Sequence, residues 1–222
     1  MTVNPDNVVQ FILIVILSYL IGSFPTAYVI AKTRNIDIFK VGSGNMGGTN
    51  VARALGLPFG LLTAGLDILK GVLAVLVARL LLPDYPISAT IVAGTGVVLG
   101  HNWSLIASIL FSLTNKSRFS LRGGKGAAAA FGTLLTFAPV QTIIGMVSLG
   151  VLLVIWKRYV SLGVLAAFAV AIVWIMILAN TGALPREYSP YVVLMGILLV
   201  VRFRENIERL LKGTERRLGE RA

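Results

Sequence analysis

Long apolar runs, each ending at a polar or basic break, set the pattern of this chain. A bilayer core takes roughly 20 helical residues to cross. The stretches 8–31, 57–82, 87–113 and 162–180 are all of that order. The first has no basic lead and no small-residue cleavage site, so it is expected to be a retained helix rather than a leader. The turn Pro83-Asp84-Tyr85-Pro86 separates the second run from the third. Residues 127–156 are apolar for 30 positions, too long for one crossing, and Pro139 interrupts them. They read as two shorter helices that enter and return. A short run at 191–201 is the seventh element, and 202–222 is expected to be an amphipathic surface helix. The expected fold class is therefore all-α: a polytopic integral membrane protein of seven transmembrane helices, forming the single domain 1–222.

Composition agrees. Of 222 residues, 56% are hydrophobic and only 13% are charged, with a mean hydropathy of +0.86. A soluble domain carries about a quarter charged residues. The net charge is +11, and 17 of the 20 Lys and Arg fall in 32–53, 115–125, 157–158 and 202–221. Basic loops face the cytoplasm. The N-terminus is then outside and the C-terminus inside, which requires an odd number of crossings. Seven satisfies this; five is the alternative, with the 127–156 pair re-entrant. The positive charge fits cytoplasmic loops and anionic lipid headgroups, with no nucleic-acid partner expected. There is no cysteine and one histidine, His101. That removes thiolate chemistry and leaves no ligand set for a metal.

Two glycine-rich segments carry the candidate chemistry. The first runs Val41-Gly-Ser-Gly-Asn-Met-Gly-Gly-Thr-Asn-Val-Ala-Arg53. Gly42, Gly44 and Gly47 match G-x-G-x-x-G, but no strand precedes them, so a dinucleotide fold does not follow. The physical content stands without that label. Glycines let backbone N–H groups approach an anion. Ser43, Asn45, Thr49 and Asn50 add neutral hydrogen-bonding groups, and Arg53 adds a forked cation suited to phosphate. The plainer alternative is a capping turn beside an interfacial Arg. The second segment is Leu121-Arg-Gly-Gly-Lys-Gly126, leading into Ala127–Ala130. It is not a Walker A loop, because Gly follows Lys125. Gly123, Gly124 and Gly126 with Lys125 at a helix start still make a good anion site. A snorkelling basic cap is the alternative.

Other polar positions are more ambiguous. Ser161 either caps the helix after Lys157-Arg158 or bonds a ligand. Asn206 lies one turn beyond Arg202 and Phe203 in the basic tail. Asp67 and Lys70, spaced i, i+3 inside the second run, form either a functional pair or a structural one. His101 lacks the acidic residue of a His-x₄-Asp acyltransferase, since Ile106 stands there, and reads as a hydrogen-bonded structural residue.

In order along the chain, Gly22-Ser-Phe-Pro-Thr-Ala-Tyr28, Gly42 to Arg53, Asp67-x-x-Lys-Gly71, Gly100-His101, Gly123-Gly-Lys-Gly126, Tyr159-x-Ser161-Leu162 and Glu205-Asn-Ile-x-Arg-Leu210 resemble the bacterial acyl-phosphate-dependent glycerol-3-phosphate acyltransferases. These are small seven-span inner-membrane enzymes of phospholipid synthesis. The resemblance implies transfer of a fatty acyl group from acyl phosphate to the 1-hydroxyl of glycerol 3-phosphate, giving lysophosphatidic acid and phosphate. It implies that Ser43, Arg53, Lys125, Ser161 and Asn206 bind the two phosphate-bearing substrates, with no metal or cofactor. It also implies membrane lipid and the enzyme that makes acyl phosphate as partners, and a site at the cytoplasmic face. The chain departs from the family at Phe203, where His is usual, at Ser104 in place of a Pro, at Met46, and in a longer 114–120 loop. The competing expectation is a transporter of phosphate or an organophosphate, for which paired broken helices near the midplane are the signature.

Overall fold

The computed structural model describes residues 5–116 and 118–220. Ser117, within the basic loop 115–125, and the end of the tail at 221–222 lie outside the described residues. Among the described residues the regular elements are all helices, and the β-type pairing is an isolated bridge between Ser104 and Arg122. The chain forms two compact units, one up to Thr136 and one over Phe137–Glu220.

The first unit contains α1 (Pro5–Ser23), α2 (Thr26–Lys32), α3 (Gly48–Leu55), α4 (Leu57–Leu81), α5 (Pro86–Asn102), α6 (Leu105–Asn115) and α7 (Ala127–Leu134). Its helices meet along small residues, as expected where lipid leaves no hydrophobic drive between helices. On α5, Gly96 faces the Ser18 side chain and Gly100 faces the Tyr19 carbonyl of α1. Between α4 and α7, Gly71 faces the Ala129 carbonyl and Gly132 the Ile68 carbonyl. A methyl group at any of these positions would collide with its neighbour. Ala27, Ile30, Ile38, Phe39, Met46, Val51 and Ala107 form a buried core.

The second unit contains α8 (Val140–Lys157), α9 (Val160–Asn180) and α10 (Tyr188–Leu211). Phe137 stacks on Tyr188 with centroids 4.0 Å apart. Val140, Ile144, Val151, Leu152 and Ile155 of α8 are exposed, a face suited to lipid.

Among the described residues, four helical segments are long and apolar enough to cross a membrane: Asn7–Lys32, Leu57–Leu81, Val140–Lys157 and Val160–Asn180. Three details differ from the sequence reading. The run 8–31 is broken at Phe24-Pro25, because a proline has no N–H to continue the helix ladder. The run 87–113 is two helices: Ser104 Oγ caps α6 by accepting from the Ala107 N–H at 3.0 Å, while the Ser104 N–H goes to the Arg122 carbonyl at 2.8 Å. The tail from Arg202 is no separate surface helix. It continues α10 to Leu211, because the buried stripe Met195, Leu199, Phe203, Asn206 keeps helical spacing through the charged boundary. The stretch 127–156 does divide at Pro139, into α7 of 8 residues and α8 of 18.

Candidate active site

The first glycine segment is a tight loop feeding α3. Gly42 and Gly44 take φ of 61° and 66°, which side-chain-bearing residues rarely adopt. Asn50, buried at 2% exposure, holds the loop closed. Its amide nitrogen donates to the Val41 carbonyl at 3.0 Å and its oxygen accepts from the Ser43 N–H at 3.0 Å. Asn50 is thereby committed to the loop itself. Ser43 is exposed, its Oγ accepting from the Asn45 N–H at 3.4 Å. Asn45, Thr49 and Arg53 are half-buried. The helix carrying Arg53 lies flush on α4, where a Cβ on Gly48 would stand 2.6 Å from the Gly60 carbonyl.

The second segment threads under the break between α5 and α6. A Cβ on Gly123 would stand 2.5 Å from the His101 carbonyl, and one on Gly124 would strike the His101 ring. The Gly124 N–H donates to the His101 carbonyl at 2.9 Å and the Arg122 N–H to Ser108 Oγ at 2.9 Å. The Arg122 guanidinium covers the Phe111 ring at 3.9 Å. Gly126, at φ 74°, turns the chain into α7, whose first N–H groups follow the half-buried Lys125.

These two loops come together. The Met46 N–H donates to the Gly123 carbonyl at 3.3 Å. A cleft is lined by Met46, Gly123, Gly124, His101 and Ser104, with Gly22, Phe24, Pro25, Thr26 and Lys70. Within it Lys70 donates to Asp67 at 2.7 Å and, at 2.6 Å, to the Phe24 carbonyl, which also accepts from the Thr26 N–H at 3.0 Å. His101 Nδ1 is 3.8 Å from the same Asp67 carboxylate. The first unit thus gathers glycine-held backbone, Arg53 at the end of α3, the Lys125 loop and the buried Asp67–Lys70 pair.

Ser161 and Asn206, in the second unit, are brought together by a residue that sequence reasoning missed. Glu215, 8% exposed, accepts from Ser161 Oγ at 2.8 Å, Asn206 Nδ2 at 2.6 Å and Arg209 Nε at 2.8 Å. Burial pushes its carboxyl up, but the hydrogen bonds from Arg209, Asn206 and Ser161, with the Arg209 charge, outweigh that and leave it below its usual value. The tail reaches this place through Gly213 at φ 68° and a reciprocal pair in which the Leu218 N–H meets the Arg158 carbonyl at 2.6 Å and Arg158 donates to the Leu218 carbonyl at 2.8 Å. The available signal was Glu215 itself, an acidic residue two positions past Gly213 where α10 has ended, in a tail with more Lys and Arg than Glu.

Comparison with known proteins gives a consistent result. The family model described as glycerol-3-phosphate acyltransferase matches residues 12–213. A glycerol-3-phosphate acyltransferase of Halalkalibacterium halodurans is 37% identical over 94% of this chain and 96% of its own. One from Thermus thermophilus is 41% identical over 93% and 94%, and one from Deinococcus radiodurans 42% over 95% and 96%. The crystal structure of PlsY, an integral membrane glycerol 3-phosphate acyltransferase, in its glycerol 3-phosphate form superposes with a TM-score of 0.79 at 34% identity, covering 94% of this chain and 96% of that one. Its lysophosphatidic acid form gives 0.77 at 33% identity. With matches that run across both units at this level of identity, the chain belongs to the glycerol-3-phosphate acyltransferase family of integral membrane enzymes.

Proposed function

We propose that this enzyme transfers a fatty acyl group from acyl phosphate to the 1-hydroxyl of glycerol 3-phosphate, releasing lysophosphatidic acid and inorganic phosphate. The observation that carries this reading is the Met46 to Gly123 hydrogen bond, which joins the two glycine loops at one cleft, with Arg53 following the first loop on α3 and Lys125 in the second. Acyl phosphate is a mixed anhydride and needs no further activation. With no thiol in the chain, direct attack is favoured over an acyl-enzyme. The hydroxyl oxygen bonds to the acyl carbon, the carbon–oxygen bond to phosphate breaks, and the hydroxyl proton passes to a substrate phosphate oxygen. Arg53, Lys125 and loop N–H groups stabilise the charge that develops; holding the two substrates together supplies much of the remaining rate. Ser43, Asn45, Thr49, Gly44, Gly123, Gly124 and Gly126 line the substrates, and Asn50 shapes the loop that does so. Ser161 and Asn206 are proposed as further phosphate ligands; their grip on the Glu215 carboxylate supports an affinity for oxyanions.

The two units act as one acyltransferase domain, since the family match spans both. The reading places the protein in a bacterial inner membrane with seven crossings, the N-terminus outside and the site at the cytoplasmic face, where the acyl chain stays in lipid. The enzyme making acyl phosphate is the expected partner. Because the chain has no cysteine, single introduced cysteines report sidedness: those at Thr33 and Lys157 should label from the cytoplasm, those at Asp84 and Glu187 from outside. The deciding assay uses purified protein, acyl phosphate and labelled glycerol 3-phosphate. Lysophosphatidic acid should form without added metal, and acyl-CoA should not replace the donor. Equal activity with acyl-CoA would refute the donor, and uptake into vesicles without product would favour a transporter.

A further inference from the structure

Lys70 has not been used by the reaction as described, and its surroundings are unusual. It is 7% exposed, deep in the second membrane-crossing helix, and lines the cleft under both glycine loops. An ammonium has three donors. Two are committed, to Asp67 at 2.7 Å and to the Phe24 carbonyl at 2.6 Å. Asp67 offsets the cost of burying the charge, and His101 Nδ1 lies 3.8 Å from the same Asp67 oxygen that Lys70 meets. A purely structural pair has no need of a cleft beside it.

Thr26 is the second, independent sign. It is 3% exposed and lines the same cleft, and its hydroxyl is buried without a hydrogen-bond partner. Threonine hydroxyls elsewhere in the unit turn back to a helix carbonyl, as Thr63 does to Phe59 at 2.8 Å and Thr90 to Pro86 at 2.7 Å. The Thr26 hydroxyl makes no such bond; Thr26 opens α2 just after the break at Phe24-Pro25 that ends α1 at Ser23. Buried polar groups left unmade are expensive and rare, and mark places that a ligand or water completes. The cleft has room for about one water-sized group. Beside His101 and the Ser104 hydroxyl, which is committed to the Ser23 carbonyl, it offers an ammonium N–H and the Thr26 hydroxyl beneath the Gly123-Gly124 turn: a site for a single oxygen acceptor.

We infer that Lys70 is a third cation of the substrate site, and that with the Thr26 hydroxyl it holds one oxygen of a phosphate-bearing substrate beneath the two glycine loops. This rests on the two-loop reading of the site. The oxygen belongs to the phosphate of either acyl phosphate or glycerol 3-phosphate, and kinetics distinguish the two. Helix α4 then does more than brace α7: it carries a charge to the floor of the site, where Asp67 keeps the ammonium in place. A water held by the same donors for structure alone is the rival.

Two variants test this in the full-length purified enzyme. Thr26→Val keeps the shape and removes a hydroxyl that bonds nothing in the protein, so the fold should be unharmed. Asp67→Asn/Lys70→Met removes both charges together and leaves no lone buried ion. Monodisperse elution and an unshifted thermal melt establish that each is folded. The expected result is a raised KM for one and the same phosphate substrate in both variants, about 2- to 10-fold for Thr26→Val and about 10- to 100-fold for the neutral pair. The substrate whose KM rises identifies the oxygen. Wild-type KM for both substrates in either folded variant, or a lower kcat with both KM values unchanged, overturns the inference. Where the neutral pair does not fold, Thr26→Val decides alone. Arg53→Ala is measured beside them: if it is defective while Thr26→Val and the neutral pair match wild type, the third cation is wrong and the two-loop site stands. If Arg53→Ala is also like wild type, the two-loop site itself fails.

Discussion

In the first unit the groups proposed to bind anions are largely backbone, exposed by glycine, with Arg53 and Lys125 half-buried beside them. In the second they are side chains, and Ser161, Asn206 and Arg209 already close on the Glu215 carboxylate. The contrast is between a site kept open by the absence of side chains and a site filled by one. Backbone donors fixed by packing cost nothing to reorganise when charge develops. Side-chain donors need a partner while they wait, and a buried carboxylate is a stable one. A change in the first unit should therefore act on turnover, and a change in the second on stability.

The largest effect is expected at the cations. Arg53→Ala and Lys125→Ala should each lower kcat/KM about 10- to 100-fold in folded protein, the loss typical of a hydrogen bond to a charged group. Arg53→Lys should recover only part, because a point charge cannot make the forked contact. Near-normal activity in both alanine variants would erase the distinction between the units.

Next is Gly124→Ala. Its methyl would strike the His101 ring, so the loop must shift. Overpacking of this kind costs about 1–3 kcal/mol. The expected outcome is a several-fold or larger fall in kcat/KM with a smaller change in melting temperature. A variant that melts early yet turns over normally when cold would show that the glycine serves folding alone.

Glu215→Gln reverses that pattern. It should lose about 1.5–3 kcal/mol of stability while retaining a larger share of activity than either cation variant. The pH sign follows from the lowered carboxyl. The ionised form is favoured by the fold, so its contribution is present above the usual value of 4.5 and is lost as pH falls through the lowered value. Thermal melts of wild type should drop in that acid range, and melts of Glu215→Gln should lack that part of the drop.

The smallest effect is expected at Phe203→His. Phe203 is 6% exposed on the buried stripe of α10. If a substrate phosphate accepts the proton, a histidine here should change kcat modestly and add little pH dependence between about 5 and 8. A wild type inactive at every pH, rescued by this variant with a new titration near neutrality, would assign the proton to the protein.

What could be read from the sequence follows the range over which each feature acts. The two glycine loops were legible because Gly42, Gly44 and Gly126 meet a local demand, a positive φ, that composition alone displays. The division at Pro139 was also legible locally, because a proline has no N–H for a continuing helix ladder. The break at Trp103-Ser104 was not, because apolar residues continue on both sides and only the isolated bridge to Arg122 reveals where the Ser104 N–H goes. The continuity of α10 was hidden by its charges: Arg202 and Arg204 read as an end, while the stripe through Leu199, Phe203 and Asn206 ran on. Asn50 was read as one more donor in a donor-rich loop, and only its bonds back to Val41 and Ser43 show that it is committed to shape. Glu215 lies 54 residues from Ser161, and no periodicity links a tail loop to a helix start.

His101 is the chain's single histidine, and its ring sits directly under Gly124. A protein labelled with ¹⁵N-histidine would give one pair of imidazole resonances, assigned without any mutation. That pair is a built-in gauge of the second glycine loop: titrating in either substrate, or inorganic phosphate, would show which ligand moves the loop and at what occupancy, in an enzyme whose other nuclei stay silent.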